Sequence, residues 1–226
     1  MKPILFNTTM VQAILEGRKT TTRRVAKGLK DATKSTHGDF KWDYKQSWMN
    51  DLGLEIAAPY HIGDILYVRE TWMIQSMKNF EKNVKFLYKA RPTKLNEVHV
   101  SNKRYEEMLK FECKNGWQPS LFMPKEAARI FLKVTDVRVE KLDQMIIADC
   151  LSEGIRAYTK DEKLYKYAVD EDQYTWQNMP HNPHQAFKDL WNSTLKKDQI
   201  EQYGFNSNPW VWVIEFERIE KSEVEQ

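Results

Sequence analysis

Cysteine is nearly absent from this chain of 226 residues: Cys113 and Cys150 are all it has. Two cysteines so far apart make neither a disulfide framework nor a zinc ribbon. Histidine is scarce as well. His181 and His184 are three apart with Pro183 between them, and two ligands do not make a zinc site. No run approaches the roughly 20 apolar residues of a membrane span, and the apolar stretch near Met1 is too short for a signal peptide. Neither GxGxxG nor the GxxxxGKS or GxxxxGKT of a phosphate loop occurs, so a nucleotide-phosphate cradle has no support. Without GxSxG there is no nucleophile elbow either. These absences lead to an expectation of a cytoplasmic protein in reducing surroundings, with no metal, no cofactor and no membrane partner.

What is present begins with an ordinary core: 41% hydrophobic residues and 12% aromatics are globular proportions. The net charge of +3 is mild, but its distribution is uneven. Between Arg18 and Lys34 stand seven Lys or Arg against one acid, Asp31, while acids gather at 161–172 and in the tail from Glu215. Such asymmetry suits an anionic partner on the N-terminal side. The densest point is Gly17-Arg18-Lys19-Thr20-Thr21-Thr22-Arg23-Arg24, with four cations and three hydroxyls in eight residues. It follows a short amphipathic helix with Asn7 or Thr8 as N-cap, Val11, Ile14 and Leu15 as apolar stripe, and Gly17 as its stop. Cations behind a helix also oppose its dipole, which is the plainer reason for them. Three β-branched threonines then favour extended chain. Alternation puts Thr20, Thr22 and Arg24 on one face and Thr21 and Arg23 on the other, so Arg24 is expected in the same cavity as Thr22.

Further strands are expected at Ile4–Phe6, Ile65–Trp72, Val84–Ala90, Ile130–Glu140 and Trp210–Ile219. Helices are expected over 101–110, 143–152 and from Asn182-Pro183 onward, the last with Phe187, Leu190 and Trp191 inward. The stretches 26–60 and 158–181 lack periodicity and read as insertions in one domain spanning 1–226, without internal repeats. In the strand Ile65–Trp72, Leu66, Val68, Glu70 and Trp72 share a face. A carboxylate among apolar neighbours needs a cation, and an N-terminal arginine is the expected partner of Glu70. The helix over 143–152 offers Met145, Ile146, Ala148 and Leu151 to the core and closes on Glu153-Gly154. An anion there works against the helix dipole, so Glu153 calls for a cation or a raised pKa. The chemistry on offer is therefore Lys19, Thr22, Arg24 and the carboxylates Glu70 and Glu153.

Gly17-x-Lys19-x-x-Thr22-x-Arg24 after a first helix, Gly63-Asp64 before a strand, Glu153-Gly154 closing a later helix, and a C-terminal Val211-Trp212-Val213-Ile214-Glu215-Phe216 strand together resemble the ASCH domain of the PUA-like superfamily. The chain is also similar to the larger phage and prophage ASCH proteins in Pro3-Ile4-Leu5-Phe6-Asn7, Val68-Arg69-Glu70-Thr71-Trp72 and Asn208-Pro209-Trp210. The resemblance implies an α+β fold, a small PUA-like β-barrel with flanking helices, here carrying two insertions. It also implies RNA or a modified nucleoside as partner.

The usual ASCH signature has an acid where this chain has Thr22. Threonine there is similar to the N4-acetylcytidine amidohydrolase branch, whose catalytic lysine, threonine and glutamate fall on Lys19, Thr22 and Glu153, with Glu70 as the alternative carboxylate. The chemistry is coherent on general grounds. A threonine hydroxyl is a weak nucleophile until a base takes its proton. A lysine serves as that base only when burial or a neighbouring cation lowers its pKa. Arg18, Arg23 and Arg24 are the cations at hand, and Arg24 is suited to a phosphate, a sugar oxygen or a developing oxyanion. The residues expected to bind substrate are Arg18, Arg23, Arg24, Glu70 and Trp72. The rival reading is a non-catalytic module for RNA or a modified base, with the basic run and the eight tryptophans as contact surfaces. Ribonuclease activity is a further precedent in the family.

Overall fold

The structure, a computed structural model, describes residues 1–27, 48–49, 55–91, 95–112 and 116–224. The expected insertion at 26–60 lies mostly outside the described residues, as does Cys113. In chain order the elements are β1 (Lys2–Leu5), α1 (Thr8–Leu15), β2 (Thr21–Val25), β3 (Trp48–Met49), β4 (Glu55–Ile56), β5 (Ile65–Arg69), β6 (Trp72–Lys78), β7 (Asn83–Tyr88), β8 (Asn96–His99) and α2 (Asn102–Glu112). There follow β9 (Phe131–Lys141), α3 (Ile147–Ser152), β10 (Arg156–Thr159), β11 (Tyr165–Ala168), α4 (Pro183–Ser193), α5 (Ile200–Tyr203), β12 (Trp210–Ile219) and α6 (Lys221–Val224). The chain is α+β, with its described strands in open sheets. Among the described residues no helix is long and apolar enough to cross a membrane.

Internal contacts divide the chain into two compact units, each assembled from separated stretches. The first comprises Met1–Glu16, Ile65–Lys133 and Arg218–Gln226. Here β1 runs parallel to β5, with Lys2 opposite Leu66 and Leu5 opposite Arg69. The start of β9 pairs antiparallel on the other edge of β5. Helix α1 starts at Asn7, whose side chain accepts from the Met10 N–H at 2.9 Å, and buries Met10, Val11, Ala13 and Ile14. A second sheet, β6-β7-β8, is antiparallel throughout. Its inward residues Trp72, Val84, Phe86 and Tyr88 join Tyr105 and Met108 of α2 and the loop residue Met123 in one apolar cluster. Trp72 makes tilted ring contacts with Phe86 at 5.8 Å and Phe111 at 5.5 Å.

The expected strand Ile65–Trp72 breaks in two, because its backbone changes partners. The Arg69 carbonyl accepts from Phe6 N–H, whereas Trp72 exchanges both backbone hydrogen bonds with Gln118. Glu70 falls between the two strands, because β5 ends at Arg69 and β6 begins at Trp72.

The second unit comprises Gly17–Asp64 and Val134–Glu217. Its β2 pairs antiparallel with β12, placing Thr22 opposite Ile214 and Arg24 opposite Trp212. Strand β12 is buried on both faces from Val211 to Ile214, so its apolar run is continuous rather than alternating. Helix α4 begins at Asn182, whose side chain accepts from His184 N–H at 2.8 Å, and it buries Phe187, Leu190 and Trp191 as expected. It packs on α3 and β11.

The stretch 158–181 holds order that its composition conceals. β10 and β11 form an antiparallel hairpin, and one of the two inward positions of β11 is a lysine, Lys166. Its ammonium donates to the carbonyls of Trp176 at 2.5 Å and Gln177 at 3.1 Å, so a cation stands where a strand pattern leads one to seek an apolar residue. The helix expected over 143–152 begins only at Ile147. Met145 and Cys150 are buried, while Ile146, Ala148 and Leu151 face solvent, contrary to expectation.

Candidate active site

Every charged member of the site described next lies in the second unit. Gly17 adopts φ 74°, a left-handed conformation that glycine accepts without strain, and so ends α1 and turns the chain into the basic segment. That segment is then held along both edges. Thr20 N–H donates to the Ser152 carbonyl at 2.9 Å, and the Thr20 carbonyl accepts from Phe216 N–H at 2.9 Å. Lys19 and Glu153 face each other as an isolated antiparallel bridge. Residues 134 apart in sequence are thus placed side by side by backbone pairing, before any side chain is considered.

Their side chains close the contact. Lys19 Nζ donates to Glu153 Oε2 at 2.5 Å, to the Thr21 carbonyl at 2.8 Å and to the Glu153 carbonyl at 3.1 Å. Three N–H groups meet three acceptors, as an ammonium requires. The Lys19 side chain is 0% exposed and that of Glu153 3%. Burial pulls the Lys19 amine below its ordinary 10.5; the charge and hydrogen bond of Glu153 oppose this, and the charges of Arg24 and Arg23 add to it. Glu153, the C-cap of α3, therefore has the cation that its unfavourable place on the helix dipole demands.

The arginines divide. Arg23 is the inward one: its buried side chain donates to Glu140 and to Glu153 and lies 3.4 Å from Asp149. Burial pulls its guanidinium down, but Glu153, Glu140 and Asp149 outweigh that and hold it above its ordinary value. Arg24 is partly exposed. Burial lowers it, while Glu153 and the Tyr60 hydroxyl oppose the change. Arg18 donates through Nη1 to the Gly154 carbonyl. Thr22 is buried at 3% exposure, and among the described residues its hydroxyl makes no hydrogen bond, to Lys19 or to any other group.

Glu70 and Trp72 belong to the first unit, where other partners account for them. Glu70 is held by Arg129, through Nε to Oε1 and Nη2 to Oε2, both at 2.9 Å. The expected pairing of Glu70 with an N-terminal arginine is thus corrected: its cation is Arg129, which stands 4.0 Å above the Tyr88 ring. Trp72 is a fully buried core residue whose Nε1–H has no hydrogen-bond partner. Its place in the aromatic cluster gives it a packing role. Among the described residues no group of three or more His, Cys, Asp or Glu is arranged to hold a metal ion.

Glu140 and Asp149 escaped sequence reasoning. Asp149 is four residues before Glu153, a spacing that puts two acids on one helical face and was readable. Glu140 carries no comparable signal in β9. No protein-family model, curated protein or solved structure matches this chain.

Proposed function

We propose that this protein is an amidohydrolase-like enzyme that removes the acyl group from an N4-acylated cytidine or a related modified nucleoside, on a PUA-like ASCH barrel. The observation that carries the reading is the buried 2.5 Å contact of Lys19 Nζ with Glu153 Oε2, with Lys19 three residues before Thr22 on the same basic segment. In this chemistry Lys19 passes a proton to Glu153 Oε2 and becomes a neutral amine. The amine takes the proton of Thr22 as Oγ1 attacks the acyl carbon. The amide C–N bond breaks, Lys19 returns that proton to the departing N4 amine, and water then hydrolyses the acyl-threonine with Lys19 again as base. Arg24, partly exposed beside them, is suited to the oxyanion or a sugar oxygen.

One observation favours the binding-module reading instead: no hydrogen bond joins Thr22 to Lys19. A buried, fully hydrogen-bonded ion pair is also a way to satisfy two charges without chemistry. The decisive experiment is incubation of the pure protein with N4-acetylcytidine, beside an active amidohydrolase as control. Cytidine release supports the enzyme. No release, together with oligonucleotide binding that weakens steeply as salt rises, supports the module.

A further inference from the structure

Arg23 is a cation that solvent does not reach; its side chain is 0% exposed. Its Nε and Nη2 both donate to Glu140 Oε1, at 3.0 and 2.7 Å. Nη2 also lies 3.4 Å from Asp149 Oδ1. Nη1 donates to Glu153 Oε1 at 3.3 Å, leaving Oε2 to Lys19. The ladder continues outward, because Glu140 Oε2 lies 3.5 Å from Arg138 Nε, and Arg138 pairs in turn with Asp136 and Glu215. Charges alternate from buried Lys19 to partly exposed Arg138.

An isolated lysine–carboxylate pair is already neutral. Adding a second buried cation to the same carboxylate costs desolvation and obliges the fold to supply two more acids. That cost is understandable if the direction of the Glu153 carboxylate matters. Arg23 itself is buried with its donors occupied, so it does not meet a ligand as the sequence had led us to expect.

We propose that Arg23 is a positioning residue of this site: clamped by Glu140 and Asp149, its guanidinium holds one oxygen of Glu153 so that the other is presented to Lys19. The inference rests on the reading of Lys19 and Glu153 as the reacting pair. It has an electrostatic consequence as well as a geometric one. The Arg23 charge repels the Lys19 ammonium, so removing it should make Lys19 hold its proton more tightly. The charged groups facing Lys19 are Glu153 at the end of α3 and Arg24 and Arg23 on β2. Those facing Arg23 are Glu140 of β9, Asp149 of α3 and Glu153 at the C-cap of α3. Cys150, also beside it, stays neutral because burial pushes its thiol up to about 12.

Removing Arg23 and removing its anchor should therefore move Lys19 in opposite directions, which a packing role does not do. The test is an NMR titration of carbon-13-labelled lysine Cε in the full chain, with the Lys19 signal assigned by its loss in Lys19→Met. Arg23→Gln is expected to raise the Lys19 midpoint by about one pH unit. Arg23→Lys, which keeps the charge, should restore most of that change. Glu140→Gln should lower the midpoint by unmasking the Arg23 charge. Midpoints that stay put, or that move the same way in Arg23→Gln and Glu140→Gln, overturn the proposal. If Arg23→Gln fails to fold, Glu140→Gln decides alone: a lowered midpoint supports the proposal, and an unchanged or raised one overturns it. The titration reads Lys19 whether or not an amide is cleaved. Absent cytidine release would remove the reaction without altering this result, while a static titration in an active protein would remove the role of Arg23 alone.

Discussion

Glu70 and Glu153 are both almost wholly buried, at 1% and 2% exposure, yet they are held differently. Glu70 gives both oxygens to one guanidinium, that of Arg129, in a two-pronged pair stacked on Tyr88. Glu153 divides its oxygens between Lys19 and Arg23. An arginine does not release its proton in a protein, whereas a buried lysine readily does. The first arrangement is thus a closed charge pair. The second holds a lysine, a cation able to give up its proton, with the Arg24 and Arg23 charges facing it. Burial of a carboxylate therefore says little about chemistry until the identity of each partner, and the oxygen it occupies, is known.

The largest effect that would break this contrast is on turnover. If Lys19 is the base, Lys19→Met should lower kcat on N4-acetylcytidine by about 100-fold to 10,000-fold. Thr22→Val, which keeps the branched shape but lacks the hydroxyl, should abolish turnover while leaving nucleoside affinity within a few-fold. Steady-state kinetics with isothermal titration of the nucleoside would separate the two quantities. Full activity in Thr22→Val would make the hydroxyl structural.

Next in size is stability. Arg129→Met strips Glu70 of its cation and should cost about 3–5 kcal/mol in urea unfolding. Lys19→Met should cost less, because Glu153 keeps Arg23. Equal losses would mean that the two carboxylates are held alike after all.

The pH dependence sharpens the contrast through its sign. Burial raises the Glu70 carboxyl above its ordinary 4.5, with Arg129 opposing. The folded state then binds that proton more tightly than the unfolded state, so the contribution of Glu70 to stability falls as pH climbs through the window above 4.5. Lys19 is lowered from 10.5, chiefly by burial. The folded state sheds that proton first, so its contribution rises with pH toward 10.5. Urea unfolding across pH should give difference curves of opposite slope for wild type against Glu70→Gln and against Lys19→Met. The smallest effect concerns the platform under Arg129. Tyr88→Phe keeps the ring but loses a hydroxyl that donates to the Ala127 carbonyl and accepts from Asn96. A loss of about 1 kcal/mol is expected, with the Glu70–Arg129 pair intact.

Much of this contrast was legible in the chain, and the remainder depends on distant pairing. The cap of α1, the stop at Gly17 and the extended threonines follow from local rules, as do the opening of α4 at Asn182-Pro183 and the strand Trp210–Ile219. So did the demand of Glu153 for a cation, because a helix terminus is a local electrostatic fact. The demand of Glu70 was equally legible, but its partner was not. Arg129 is 59 residues away, and the strand break at Glu70–Thr71 arises from Gln118, a loop residue with no signal of its own. The hairpin of β10 and β11 was hidden because Lys166 occupies an inward position.

The central claim is that only one of these two buried carboxylates takes part in chemistry. It is tested most directly by cytidine release from N4-acetylcytidine, measured side by side for wild type, Glu70→Gln and Glu153→Gln, each first shown to be folded by its urea transition. The expected result is release by wild type and by Glu70→Gln, with none by Glu153→Gln. Release that survives in Glu153→Gln but is lost in Glu70→Gln, or no release by the wild type, would contradict it.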